Sequence, residues 1–302
     1  MGSILPTWNS LGQLRAGKGC QETIHDTKTD QGEIMSKQAA IGLVNQFASQ
    51  SSQGVWPQID RNALAAGLIA RINDPNLINQ MGTPLCGPAS LVRAIDDNTP
   101  IIYAQAAIDL YTRGTARIGN LDVRPGSELK QSAPQGNTNP ADWIMLASIR
   151  DSNNWFLSPA GLFGSNLAGM TLPQTMESWF SNAGYTQIIN ITYFAAKPIY
   201  SVLAMEMHRS SYLFSQGYKV VLFIDSDVLD PDCQGDLVSM YPDHWVALTS
   251  TITDGGIINY DAPISFKIYS WGRQMSVPVD PRRPLSKRDF IGKYYGFIAA
   301  HQ

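Results

Sequence analysis

A thiol, an imidazole and a side-chain amide can together carry nucleophilic acyl chemistry, and this chain offers one set of positions for all three. Cys86 lies in the run Gln80-Met81-Gly82-Thr83-Pro84-Leu85-Cys86-Gly87-Pro88-Ala89. Its Gly and Pro residues predict a loop that opens a helix at the cysteine, with Pro88 tolerated in the first turn. A helix start presents orphan N–H groups and the positive end of a dipole, both of which favour a thiolate. A cysteine taken alone is more often a small buried apolar residue than a reactive group. Gln80, six residues earlier, changes that balance: its amide and the Cys86 N–H could donate together to an oxyanion formed beside the sulfur.

A nucleophilic thiol needs a base, and the chain has four histidines. His25 sits in a polar N-terminal stretch, His208 on the polar side of a helix, and His301 beside the last residue. His244 remains. It opens the apolar run His244-Trp245-Val246-Ala247-Leu248 just after Tyr241-Pro242-Asp243, and a strand start is a rigid place to hold an imidazole. A third group should orient that ring. A hairpin turning at Asp254-Gly255-Gly256 would bring Asp261 back to His244, and a carboxylate suits an imidazolium. If the hairpin turns later, Tyr269 or Ser270 comes nearest instead.

The elements that must position these groups read as helices first and strands second. Residues 1 to about 33 are polar and read as extended or loosely ordered. Helices are predicted over Ser36–Ser49, from Asp60 through Ile72, from Cys86 onward, over Pro100–Thr112, from Asn139-Pro140 to Ile149, over Thr171–Ala183 and over Pro198–Gln216. Strands are predicted at Ile188–Phe194, Lys219–Ile224, His244–Ile252, Ile257–Tyr260, Ser265–Trp271 and Tyr295–Ala299. Residues 114 to 139, rich in Gly, Pro and Asn, read as a long loop. The expected class is α+β, with a helical N-terminal part packed on a C-terminal antiparallel sheet. The expected division is an extension with two helices over residues 1–75 and a catalytic domain over 76–302, with a long middle insertion at about 114–216.

Composition narrows the classes further. With 302 residues, 44% hydrophobic and 16% charged, the chain can build a large core. The net charge of −3 argues against nucleic acid as a partner. Three cysteines, Cys20, Cys86 and Cys233, do not make a disulfide framework. The acidic loop Asp225–Asp232 lacks the spacing of a calcium loop, and Cys233 has no partners at zinc spacing, so neither a metal nor a cofactor is expected. Trp143, Trp155, Trp179 and Trp271 read as core. No apolar stretch is long enough for a membrane span, and no secretory signal is visible, so synthesis in the cytoplasm is expected.

Gln80 followed by Cys86-Gly87-Pro88-Ala89, with His244 far downstream, resembles the papain-like cysteine peptidase superfamily. The nearest likenesses are two. Bacteriocin-processing peptidases share the Cys-Gly-Pro-Ala start, a His that opens a strand, and an ending like Asp261-Ala262-Pro263. Papain-like toxin domains of bacterial effectors share His244-Trp245-Val246-Ala247-Leu248 and Ser270-Trp271-Gly272. Tyr269 stands where papain-type enzymes keep an Asn. The resemblance implies a cysteine protease acting on a protein substrate, as an antibacterial effector delivered by a dedicated machine such as type VI secretion, with a cognate immunity protein as partner. The same dyad would also serve peptidoglycan amide cleavage, glutamine deamidation or acyl transfer, and a decayed fold of this kind would be an inert binding module.

Overall fold

A computed structural model describes residues 22–152, 170–194, 196–230, 232 and 241–302, with side chains from residue 32 onward. The chain divides into two units, residues 1–35 and 36–302. Of the first, the described part is the beginning of helix α1 (Glu22–Ala48). That helix starts at Glu22 and not at Ser36 as expected. Its first turns are polar all round, so no apolar stripe marks them in the sequence. Cys20, Cys233 and Trp155, and the side chain of His25, lie outside the described residues.

The second unit begins with the rest of α1 and continues through α2 (Arg61–Asn73), α3 (Cys86–Asn98) and α4 (Pro100–Arg113). Local chemistry sets several ends. Asp60 caps α2 by accepting the Ala63 N–H at 2.8 Å. Pro100 opens α4, and Gly114, at φ +74°, closes it in the left-handed conformation. The expected domain boundary between residues 75 and 76 falls inside this unit, where Ala40, Val44, Leu64 and Leu68 share one core with Leu91 and Val92 of α3.

The stretch expected to be a long loop is not structureless. It contains a hairpin, β1 (Ala116–Ile118) and β2 (Leu121–Val123), and a short helix α5 (Ser127–Gln131). The sequence carries a signal for the hairpin: alternating residues around Gly119-Asn120, with Gly119 at φ +58° pressed against the Asn182 carbonyl. Then follow α6 (Pro140–Asp142), a π turn (Trp143–Ala147) and α7 (Ser148–Ser152), all in one continuous run. After α8 (Pro173–Asn182) come β3 (Gln187–Thr192) and α9 (Tyr200–Ser215).

The remaining strands are β4 (Lys219–Ile224), β5 (His244–Leu248), β6 (Phe266–Ser270), β7 (Arg273–Val277) and, after α10 (Lys287–Gly292), β8 (Tyr294–His301). With β3 they form a six-stranded antiparallel sheet in the order β3-β8-β4-β5-β6-β7. The α+β class is as expected. Strand β7 and helix α10 were not foreseen. No strand forms at Ile257–Tyr260, and residues 249–265 make a long connection between β5 and β6.

Period-two alternation divides the interior in two. Val221, Phe223, Trp245, Ala247 and Tyr269 face one core together with Cys86 and the helices α1 to α4 and α8. Val220, Leu222, Val246, Leu248 and Ile268 face the other, covered by α9 and α10. Strand β4 is buried on both faces, which is why Val220–Ile224 reads as an unbroken apolar run and not as an alternation. The start of α3 therefore meets the sheet at the beginning of β5.

Candidate active site

Cys86 is the first residue of α3 and is 4% exposed. The backbone N–H groups of Trp245, Gly87 and Cys86 itself lie near enough to its sulfur to favour the anion. Burial outweighs them and lifts the thiol to about 11, and the Asp243 carboxylate pushes the same way. Gly87 is required by its neighbour: a Cβ there would lie 2.3 Å from Thr171 Oγ1. The Thr171 carbonyl accepts the Trp245 indole N–H at 2.8 Å. Thr171 thus touches both the start of α3 and the start of β5.

His244 is buried at the first position of β5, one residue before Trp245. Its Nε2 shares a 2.7 Å hydrogen bond with Ser270 Oγ. The Trp271 ring stacks on it at 4.7 Å between centroids, with planes 16° apart. Burial lowers the imidazole to about 4. No direct hydrogen bond joins the thiol to the ring; the Trp245 peptide connects the two positions.

The β6–β7 hairpin supplies both groups that hold the ring. Ser270 pairs with Arg273, so Trp271-Gly272 is a two-residue turn, with φ of +48° and +74°. That turn type needs both residues in the left-handed region and normally takes Asn or Gly. A tryptophan there costs about 1–2 kcal/mol, and it is held by its stack on His244.

Asp261 must be corrected. Its side chain is 82% exposed and accepts from Arg288 Nε and Nη2, each at 3.1 Å. It does not orient His244. The expected hairpin through residues 254–256 does not form, because β5 pairs with β6 in the register Ala247↔Tyr269 and Leu248↔Ile268. The later-turning alternative is realised, and Ser270 is the group that meets the ring.

Gln80 is buried, and its amide donates a long 3.4 Å bond to the Thr83 carbonyl. The loop that carries it is fastened at successive residues. The Tyr269 hydroxyl donates to the Ile78 carbonyl. The Asn79 N–H lies near enough to the Asp142 carboxylate to favour its charge, and Asp142 is bound by Arg71, with Nε to Oδ1 at 2.6 Å and both side chains buried. Gly272 presses on the Asn79 side chain, 2.6 Å from Nδ2 to a Cβ placed there. Sequence reasoning missed Arg71 and Asp142. Each sits inside a helix, and only their pairing across the fold distinguishes them from ordinary surface charges.

A cleft of about 210 Å³ is walled by Leu85, Leu129, Trp143 and Ala147 and edged by Gln135, Arg150 and Asp151; Cys86 is not among its lining residues. Among the described residues, no group of three or more His, Cys, Asp or Glu side chains converges as a metal site. No described helix is long and apolar enough to cross a membrane. Compared with known proteins, the chain matches no family model and no curated protein sequence.

Proposed function

We propose that the chain is a cysteine hydrolase of papain-like architecture that cleaves peptide bonds in a protein substrate. One observation supports this above the others. A thiol stands at the start of α3, and the strand packed on that helix begins with a histidine whose ring is clamped by Ser270 and Trp271. A core cysteine with only a packing role needs no clamped imidazole.

Burial leaves the resting pair neutral, thiol with imidazole, and not the thiolate–imidazolium pair of the more acidic cysteine enzymes. The mechanism is then general-base catalysis. In the tautomer this mechanism requires, Nε2–H donates to Ser270 Oγ and Nδ1 carries the lone pair. As the Cys86 sulfur attacks the substrate carbonyl, this reading requires its proton to reach Nδ1 through one water, because no hydrogen bond joins the two groups directly. The carbonyl oxygen becomes an oxyanion, which the Cys86 N–H and the Gln80 amide stabilise. The proton returns to the leaving amine, and the thioester that remains is hydrolysed by water. Ser270 cannot neutralise an imidazolium as a carboxylate would. It orients the ring and leaves its basicity low.

The test is the hydrolysis of p-nitrophenyl acetate, an acyl donor that needs no specific pocket. Cys86→Ala should abolish the burst of nitrophenol, and His244→Ala should slow it by roughly 10²–10⁴-fold. Unchanged turnover in Cys86→Ala would sink the proposal. Comparing the proteomes of cells that express the wild type and Cys86→Ala then identifies the bond cleaved: paired fragments support peptidase action, and a one-dalton gain at glutamine would replace it with deamidation. In the effector reading, toxicity on expression is lost in the same variant and relieved by an immunity protein.

A further inference from the structure

Cys86 opens α3 and His244 opens β5, so the separation of thiol and imidazole depends on what fastens one element start to the other. One buried residue contacts both starts. The Thr171 side chain lies against Gly87, the residue after the cysteine. A Cβ placed on Gly87 would stand 2.3 Å from Thr171 Oγ1, 2.6 Å from its Cβ and 2.9 Å from its Cγ2. Side chain and helix backbone are in tight contact there, with no room for a larger residue 87. The Thr171 carbonyl accepts the Trp245 indole N–H at 2.8 Å, and Trp245 directly follows His244.

Both ends of this bridge are themselves held. Behind Thr171, Pro173 opens α8 and the Leu172 carbonyl accepts the Met176 N–H at 3.0 Å, so the backbone that presents the Thr171 carbonyl is anchored by a helix. On the other side, the indole stacks on Phe223 with centroids 4.2 Å apart and planes at 15°. Trp245 also pairs with Phe223 in the β4–β5 ladder, so strand and side chain are fixed by one neighbour. The β6–β7 turn makes a more distant tie: Gly272 meets the cysteine loop at Asn79, seven residues before the thiol. Thr171 meets the residue next to it.

We infer that Thr171 is a positioning residue for the reaction. With its side chain on Gly87 and its carbonyl on the Trp245 indole, it sets the separation that lets the thiol proton reach the imidazole through one water. The inference rests on the reading of Cys86 as nucleophile and His244 as base, and adds the contact that aligns them. A displacement of about 1 Å between reacting groups can cost about 10²-fold in rate, so one buried hydrogen bond far from the substrate has a catalytic effect beyond its share of stability.

The experiment is a double-mutant cycle on p-nitrophenyl acetate turnover, with Trp245→Phe and His244→Ala made singly and together in the full chain. Phenylalanine keeps an aromatic ring against Phe223 and deletes the indole N–H. Trp245→Phe should slow turnover about tenfold in the wild type and less than about twofold in the His244→Ala background, since a base that is absent cannot be misplaced. Thr171→Gly keeps the carbonyl and withdraws the side chain from Gly87. It should show the same non-additivity, and it replaces Trp245→Phe in the cycle if a melting curve shows that variant unfolded. Adding Gly87→Ala to Thr171→Gly refills the vacated space and should recover part of the rate. Equal slowing in both backgrounds, or slowing in neither, overturns the positioning role and leaves a contact that only packs. Turnover that does not depend on Cys86 or His244 removes the catalytic reading instead, whatever the Thr171 and Trp245 variants do.

Discussion

The loop that leads to Cys86 and the turn that covers His244 are held by opposite kinds of force. The cysteine loop rests on charge: Asp142, beside the Asn79 N–H, is locked by Arg71, and Arg93 binds Asn76 while its guanidinium lies 5.3 Å over the Tyr269 ring. The histidine turn rests on neutral contacts: one hydroxyl, one stacked indole and a strand register. The division has a physical sense. Backbone donors aimed at a reacting atom need a rigid frame, and buried ion pairs give strong orientation at a high desolvation cost. The imidazole is held by neutral groups, and burial leaves its basicity low. Tyr269 and Ser270 join the two regions, since adjacent strand residues point to opposite faces and one strand serves both.

The largest effect should come from breaking the ionic side. Arg71→Met leaves Asp142 charged and buried without a partner, and should lower unfolding stability by about 3–5 kcal/mol. Combining it with Asp142→Leu should recover most of that, as read by denaturant midpoints. If the single variant is as stable as wild type, the loop is not held by this pair.

Next in size is a pH effect from the neutral side. The folded imidazole sits near 4 against an ordinary 6.5, so between these values the unfolded chain binds a proton that the folded chain refuses. Stability contributed by His244 is complete above pH 6.5 and is lost as pH falls toward 4, by about 3 kcal/mol in all. A melting series of wild type against His244→Gln should show this slope only in the wild type.

Smaller still are changes to the clamp. Ser270→Ala leaves Nε2 without its partner and should slow ester turnover by about tenfold, or 1–2 kcal/mol. Trp271→Gly removes a left-handed tryptophan but also its stack, so stability should move by less than about 1 kcal/mol while turnover falls several-fold. A drop in stability without a drop in turnover would show that the indole packs but does not orient.

The smallest effect belongs to Asp261→Ala. An exposed ion pair of this kind contributes about 0.2–1 kcal/mol at most, and turnover should not change. A tenfold loss there would restore the carboxylate to the site and overturn Ser270.

Much of the frame was legible because its signals are local. Val220–Ile224 is apolar without interruption and lies in the buried central strand. Pro100 and Gly114 bracket α4, and the Gly-Pro punctuation around Cys86 marks the start of a helix. The unread parts had weak or misread local signals. The first turns of α1 lack an apolar face. The alternation around Gly119-Asn120 was overlooked in a Gly- and Pro-rich stretch. Ile257-Ile258 is apolar enough to suggest a strand, yet Ile258 is 86% exposed in a connection held by isolated bridges at Thr253, Pro263 and Ser265 and by no ladder.

For the site, the division is sharper. The sequence by itself determined that a thiol stands at a helix start and an imidazole at a strand start, because caps, breakers and apolar runs act within a few residues of one another. Only the tertiary structure decided what surrounds them. The β5–β6 register set Ser270, and not Asp261, against His244. Packing joined Arg71 of α2 to Asp142 of α6 beneath the cysteine loop. Burial made the pair neutral. Register, long-range pairing and desolvation are properties of surfaces brought together from distant parts of the chain, and no short window of sequence encodes them.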